Sequence, residues 1–366
     1  MTGANEMLET VEAPGGTGRP RVYIVLVNWN GCLDTIECLE SVFRLRYGNF
    51  RVVVCDNDSS DSSVGRIVAW AEGRTEYWPP QTPMGRFTDP PIGKPLEYRL
   101  IEPEHRQEFP RCDERLVLLP TGGNLGFAGG NNVGIRFALC QGDCDFVWLL
   151  NNDTVVDPDS LDHLIERARR DGSIGMIGAT IHFYDRPDTV QDLGGSIFSK
   201  IRARSFHLGI GRPFPDLDEA GIRRVEEQLD WISGASLFVS ETFVQNIGLM
   251  EERYFLYYEE LDWAIRSRGR FGLGYAPQAM VYHKHGVSTG EGRKSETSIY
   301  FKHSSRLKLY RKLLPTHVIF CFFATATEAL LSIAKGNVGA LRPMWRALTE
   351  EIGAGNRQGG QGGKIP

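Results

Sequence analysis

No CxxC pair occurs in the sequence. Its seven cysteines are an odd number, with Cys32 and Cys38 six positions apart and Cys140 and Cys144 four apart. That spacing argues against a four-ligand zinc site and against a disulfide framework, so buried free thiols are expected. Positive charge is not in excess either: 41 Lys and Arg against 46 Asp and Glu leave a net charge of −5. No overall field is present to hold nucleic acid, and nucleic acid is not an expected partner. No uninterrupted run of 18 apolar residues is found, which argues against a spanning helix. The first twenty residues are polar, acidic and glycine-rich, without the basic-then-apolar pattern of a signal peptide. A soluble, cytoplasmic protein is expected. Several catalytic signatures are missing as well. Gly234-Ala235-Ser236 lacks the closing glycine of a nucleophile elbow, and neither HExxH nor a kinase motif is found. No internal repeat is visible.

What is present is an alternation of short apolar runs and helical spacing. At 366 residues the chain allows one large domain or two ordinary ones. VYIVLVN (22–28), RVVVC (51–55), LVLL (116–119) and DFVWLL (145–150) read as buried strands. Helical patterns follow them, and Asp34 with Glu37 three residues on resembles a capping box. A helix runs through Ile135, Phe137 and Leu139, and another over 158–170. This rhythm predicts an α/β fold with a mostly parallel sheet and helices on both faces. Residues 71–115 break it. They hold eight of the nineteen prolines, and read as a surface insertion with little regular structure.

In an open parallel sheet, ligands sit beyond the carboxyl ends of the strands. Four successive strand ends carry polar groups here. They are Asn28-Trp29-Asn30-Gly31; Asp56-Asn57-Asp58 with Ser59 and Asp61; TGGNLGFAGGNN (121–132); and Asn151-Asn152-Asp153-Thr154. One such end is ordinary turn chemistry, whereas four on one edge suggest a nucleotide site. The glycine-rich stretch is neither a Walker A loop nor a GxGxxG fingerprint. It reads as a tight turn with glycines at positive φ, or as a ligand loop to which Asn124, Asn131 and Asn132 contribute.

Asp153 ends a strand, where a carboxylate would hold Mg²⁺ or Mn²⁺ once phosphates are bound beside it, or would serve as a turn acid before a helix, a role for which Asp157 is the better candidate. Further on, Glu259, Glu260 and Asp262 open a short helix. Glu259 and Asp262 share a face, and acids in a first turn also suit the helix dipole. His283 and His285 end a strand two positions apart, where a structural histidine and a ligand are both open readings. His163, His182, His207 and His317 have no evident partner and read as structural.

Taken in order, VNWNG, VCDNDSSDSS, GNLGFAGGNN, LLNNDTVVDP, ISGASLFV, FLYYEELDW and VYHKHG resemble inverting family 2 glycosyltransferases of the GT-A fold. The rhamnosyltransferase-like bacterial branch is the most similar. The resemblance covers about residues 21 to 312, interrupted by the proline-rich insertion. It implies a pocket for the donor's nucleobase and ribose at Asn28, Asn30, Asp56 and Asn57. It implies a donor site shaped by Asn124, Gly126, Phe127, Ala128, Asn131, Asn132 and Asn152. Asp153 stands in the DxD-type position and would bind Mn²⁺ or Mg²⁺, with His283 as a second ligand. Glu260 falls where the family has the Asp that serves as general base, and Asp262 is the reserve candidate. A further departure is YFKHSS (300–305), where many relatives carry Tyr-Tyr-x-x-Arg-Asn, so no diphosphate contact is assigned there.

The resemblance further implies a dTDP- or UDP-sugar donor, with rhamnose favoured, and a glycan or lipid-linked glycan acceptor. The organisation expected is a flexible N-terminus (1–20), a GT-A domain (21–294), a C-terminal helical region (295–350) and a flexible tail (351–366). Two other classes compete: a catalytically silent sugar-nucleotide-binding scaffold, and a sugar nucleotidyltransferase. The latter should have a Gly-rich, Arg- and Lys-bearing loop after its first strand, which VNWNGCLD lacks. Arg306, Lys308, Arg311 and Lys312 precede LLPTHVIFCFFATAT, an uncharged run of 15 residues ending at Glu328. It is too short to span a bilayer, and reads as an interfacial segment at the inner membrane face or as a helix packed on the main domain or in a homodimer.

Overall fold

The computed structural model describes residues 18–284 and 295–359. Its first half follows the alternation seen in the sequence. Strand β1 (Val22–Asn28) leads to helix α1 (Cys32–Val42), and β2 (Phe50–Asp56) leads to α2 (Ser63–Ala71). After β3 (Tyr98–Leu100) come β4 (Leu116–Pro120), α3 (Gly126–Gln141), β5 (Phe146–Asn151) and β6 (Thr154–Val156). β5, β1, β2, β4 and β3 lie side by side in that order, all parallel. Side chains alternate across a strand, so β1 serves two cores. Val22, Ile24 and Leu26 join the cluster under α1 and α2, while Tyr23 and Val25 join the one under α3. Burial on both faces is why these strands read as continuous apolar runs.

The second half adds α4 (Ser160–Arg170), β7 (Ile174–Phe183), β8 (Val190–Leu193), β9 (Gly195–Ser199) and β10 (Arg204–His207). It continues with α5 (Glu219–Gln228), β11 (Trp231–Ile232), β12 (Ser236–Ser240), α6 (Glu241–Ile247), α7 (Glu259–Ser267) and β13 (Gly272–His283). β12 lies antiparallel between β5 and β7, and β13 runs parallel to β7 before pairing with β6. Three further helices follow: α8 (Glu296–Leu313), α9 (Val318–Ala334) and α10 (Leu341–Gly359). All seven cysteines are free, and six of them are buried.

Several local expectations change. Asp34 is not a cap: α1 begins at Cys32 behind Gly31, with no side-chain cap. Lys284 reaches back over the sheet edge, and the carboxylates of Asp34 and Glu37 both hold its ammonium. The proline-rich segment is tied to the domain. Its β3 extends the sheet, and Met84 and Phe87 pack on Val155 and Tyr282. Buried Glu40 accepts from Trp70 Nε1, Ile92 N and Lys94 Nζ at 2.9, 2.8 and 2.7 Å. A buried carboxylate needs such partners, and these fix the excursion in place. α10 runs on to Gly359, into the stretch expected as a tail.

The C-terminal apolar segment is also longer than its uncharged run. Residues Pro315–Ala334 give 20 helical residues of mean hydropathy 1.7, long and apolar enough to cross a membrane by length and composition. Glu328 does not end the segment, because its carboxylate turns inward onto Arg306 at 2.8 Å and Lys302 at 2.6 Å.

Candidate functional site

Because β5, β1, β2 and β4 are parallel neighbours, their polar ends meet along one edge. The register pairs Asn28 with Asp56, Asp56 with Pro120, and Val27 with Asn151. Asn28 Nδ2 donates to Asp56 Oδ2 at 2.6 Å and to Ser59 Oγ at 3.0 Å. Asn28 Oδ1 accepts from Thr35 Oγ1 at 2.8 Å, and Thr35 in turn accepts from Asn152 Nδ2 at 2.9 Å. Three strand ends are thus joined in one hydrogen-bonded patch. Asn30 sits exposed at its mouth, in the left-handed region at φ 53°, its Oδ1 accepting from Ser60 N at 2.7 Å. Trp29 beside it is 56% exposed, a large aromatic left unburied at the strand edge.

The glycine-rich stretch is only partly a loop. Asn124 is exposed and accepts from Gly126 N at 3.0 Å. From Gly126 onward the chain is helix α3. Gly126 has φ +71°, and a Cβ there would collide with Phe255 O. This closeness lets Phe127 N donate to Phe255 O at 2.9 Å and Asn57 Nδ2 donate to Gly126 O at 2.9 Å. The site is therefore laced to the segment that precedes α7. Ala128, Asn131 and Asn132 do not line a ligand loop. Ala128 is core, Asn131 donates to Phe127 O, and Asn132 donates to Met250 O and accepts from Met250 N. Helical geometry turns these residues into the protein, where buried amides need internal partners.

Asp153 and His283, 130 positions apart in the chain, are brought together by the β6–β13 ladder, which sets His283 opposite Thr154. His283 Nε2 lies 3.2 Å from Asp153 Oδ1, and both side chains are largely buried. His283 Nδ1 lies 3.2 Å from Gln191 Oε1. If Nδ1–H donates there, Nε2 is left with its lone pair towards Asp153, the arrangement a metal-ligating imidazole requires. One carboxylate oxygen and one imidazole nitrogen suit Mn²⁺ or Mg²⁺, which fill the rest of their coordination with phosphate and water. No group of three such side chains occurs among the described residues. His285 lies outside the described residues.

The acidic helix start sorts its carboxylates by environment. Tyr257 and Tyr258, just before α7, both hold left-handed backbone at φ 70° and 74°. Each such residue costs on the order of 1 to 3 kcal/mol, a strain typical of functional turns. Tyr257 OH is 2.8 Å from Ser298 Oγ, and Tyr258 packs on Phe198. The turn directs Glu260 into a cavity of about 740 Å³ between β10, β11 and the C-terminal helices, lined also by His207, Trp231, Lys302 and Leu331. Burial pushes the Glu260 carboxyl up to about 7, with His207 pulling the other way. Glu259 is buried and raised too, by burial first and by its neighbour Glu260 second.

Asp262 does not reach the cavity. It is fully buried, accepting from Arg266 Nε at 2.6 Å, Lys312 Nζ at 3.0 Å and Tyr254 OH at 3.1 Å. Asp262→Asn should therefore destabilise the fold by about 3 kcal/mol, read as a lowered urea midpoint. Turnover per folded molecule should change little. Gly234 makes room for the other carboxylate: a methyl at 234 would overlap Glu260 Oε1 and lie 3.1 Å from Phe127 Cζ. Gly234→Ala is expected to displace the carboxylate and lower kcat about 10-fold or more while leaving nucleotide affinity intact, as steady-state kinetics and calorimetry would report.

One residue the sequence reading set aside belongs here. His207 lines the same cavity, its Nδ1 2.8 Å from Asp192 Oδ2 and 3.0 Å from Ser196 Oγ. Asp192 raises the imidazole's pKa through that hydrogen bond, and burial raises that of Asp192 itself. Nothing in the local sequence marks a lone histidine, since its partner comes from another strand. Ser304 and Ser305 are buried, their hydroxyls donating to Glu351 Oε1 and Leu256 O.

Residues 103–224 match the family model described as glycosyl transferase family 2. The chain is 30% identical over 199 residues to N-acetylglucosaminyl-diphospho-decaprenol L-rhamnosyltransferase of Mycobacterium tuberculosis (strain CDC 1551 / Oshkosh), across 50% of this chain and 64% of that protein. It is 26% identical over 157 residues to low-salt glycan biosynthesis hexosyltransferase Agl10 of Haloferax volcanii, across 41% of this chain and 45% of that one. Less than two thirds of either relative is spanned. Among solved structures, GalNAc-T7 with UDP, GalNAc and Mn²⁺ superposes with a TM-score of 0.55 over 86% of this chain and 52% of that one. At 11% identity, that likeness concerns the fold alone. These matches make the chain similar to family 2 glycosyltransferases, with residues 103–224 fitting that family's model, and the parallel sheet with its polar carboxyl edge shares its fold with GalNAc-T7.

Proposed function

We propose that the protein is a metal-dependent inverting glycosyltransferase. It moves a sugar, rhamnose in the first instance, from a nucleoside diphosphate to a hydroxyl of a glycan or lipid-linked glycan. The observation that carries this reading is the Asp153–His283 pair at the edge where the polar ends of parallel strands converge. The M. tuberculosis relative, whose name specifies a rhamnosyl transfer to a diphospho-decaprenol glycan, supports the choice of donor and acceptor.

In this reading the Asn28–Asp56–Asn152 patch, with exposed Asn30 and Asn124, receives the nucleoside and sugar. Asp153 and His283 hold the cation, which when bound neutralises charge on the departing diphosphate. Glu260 takes the proton from the acceptor hydroxyl as its oxygen attacks the anomeric carbon from the face opposite the diphosphate. A carboxylate held near 7 is ionised in a useful fraction at neutral pH and still basic enough to accept that proton. Buried Asp192 keeps His207 oriented at the wall of the same cavity.

The direct test is transfer from dTDP-rhamnose and from UDP-sugars to a short lipid-diphosphate glycan, with Mn²⁺ and with chelator. Metal-dependent transfer giving a product of inverted anomeric configuration is expected. Saturable nucleotide-sugar binding without transfer to any acceptor would instead support the silent scaffold.

A further inference from the structure

Helix α9 is amphipathic in the reverse sense. Its single charged residue, Glu328, faces the protein, where Arg306, itself fully buried, and Lys302 answer it. Thr325 also faces inward, accepting from Arg306 at 2.7 Å. The outward side carries Ile319, Phe323, Leu330, Leu331 and Ile333, each at least half exposed, with Phe323 at 63% and Leu330 at 67%. A helix in water presents its charges outward and buries its apolar stripe. One that does the opposite is matched to a second apolar phase. The face continues over Val338 to Trp345 on α10, which is 70% exposed.

Three cations border this face. Lys335 closes α9, and Arg342 and Arg346 flank Trp345 on α10. Of the three, only Arg346 meets a carboxylate, Glu350, among the described residues. Apolar side chains edged by Lys and Arg, with a Trp at the boundary, suit an anionic lipid surface. A second copy of the chain would bring the same cations to the contact without offering a partner for Lys335 or Arg342.

We propose that the outer face of α9 and α10 rests on an anionic bilayer. The helix lies along the surface and does not cross it, since crossing would strip Glu328 from Arg306 and leave a buried guanidinium unanswered. Leu331 and Lys335 belong both to this face and to the wall of the cavity that holds Glu260. Docking therefore sets that cavity at the lipid boundary, where an acceptor with a polar head and a membrane-embedded tail can present its hydroxyl. This last step rests on the transferase reading; the docking itself does not.

The test is flotation of the full chain with phosphatidylcholine vesicles, with and without about 30 mol% phosphatidylglycerol, independent of any activity. Binding should be roughly 10-fold stronger to the anionic vesicles, weaken in high salt, and be released by alkaline carbonate. Phe323→Glu and Leu330→Glu, both at exposed positions, should abolish flotation while leaving the melting temperature and nucleotide binding unchanged. Equal binding to both vesicles, or none, overturns the proposal. So does resistance to carbonate, which means a spanning helix, or a dimer by light scattering that the same variants dissociate, which means the face meets a second copy. Loss of transfer activity with flotation intact would count against the transferase reading and leave the docking surface standing.

Discussion

Glu260→Gln should lower kcat by roughly 100- to 10,000-fold while leaving donor affinity close to that of the parent. Gln keeps the volume beside Gly234 and Phe127 but cannot accept the acceptor's proton. The parent's pH profile should carry the same signature. A general base works deprotonated, and burial raises Glu260 to about 7. The kcat/KM of the parent is therefore expected to fall about tenfold per pH unit below that point. An ordinary glutamate, with its value near 4.5, would hold its activity down to about pH 5. Stability offers a second readout. A carboxyl whose pKa is raised in the fold stabilises relative to its ionised form only at low pH, and that contribution is lost as pH rises from the unfolded value to the folded one. The melting temperature of Glu260→Gln should thus gain on the parent between about pH 4.5 and 7. A flat activity profile across pH 5 to 8 with full turnover in Gln would remove Glu260 from the reaction.

Asp153→Ala should abolish metal-dependent transfer, by at least about 100-fold in kcat/KM, with the fold retained. The residue lies at the sheet edge between β5 and β6, and its carboxylate meets His283 and not the hydrophobic core. Its loss leaves the strand ladders intact. The shift in melting temperature produced by Mn²⁺ with nucleoside diphosphate should vanish in this variant, because a ligand stabilises only the state that binds it. His283→Ala should weaken the same response more mildly, since one ligand remains. Undiminished metal response in Asp153→Ala would move the cation elsewhere.

These two variants separate roles that the sequence could name but not place. β1, β2, β4 and β5 were legible because each is buried on both faces, and a run such as VYIVLVN admits little else. Their polar ends were legible for the complementary reason: Asn and Asp break apolar runs where strands emerge into a cleft. The glycine-rich stretch was harder. Gly126 begins a helix while Asn131 and Asn132 are drawn inside it, and a glycine-dense sequence carries no helical periodicity strong enough to announce that.

The partnership of Asp153 with His283 was only implied by the family resemblance, whereas the sequence by itself determined the α/β alternation and the polar carboxyl edge. Local composition suffices for these, because burial and turn chemistry act over a few residues. Only the tertiary structure set Glu260 and Asp262 in different surroundings, since helix positions two apart differ in which neighbours they meet: a cavity for one, Arg266 and Lys312 for the other. It alone joined His207 to Asp192, and it alone turned Glu328 inward on α9. Long-range ion pairs and the side a helix presents are set by what packs against it, and no window of sequence contains both partners.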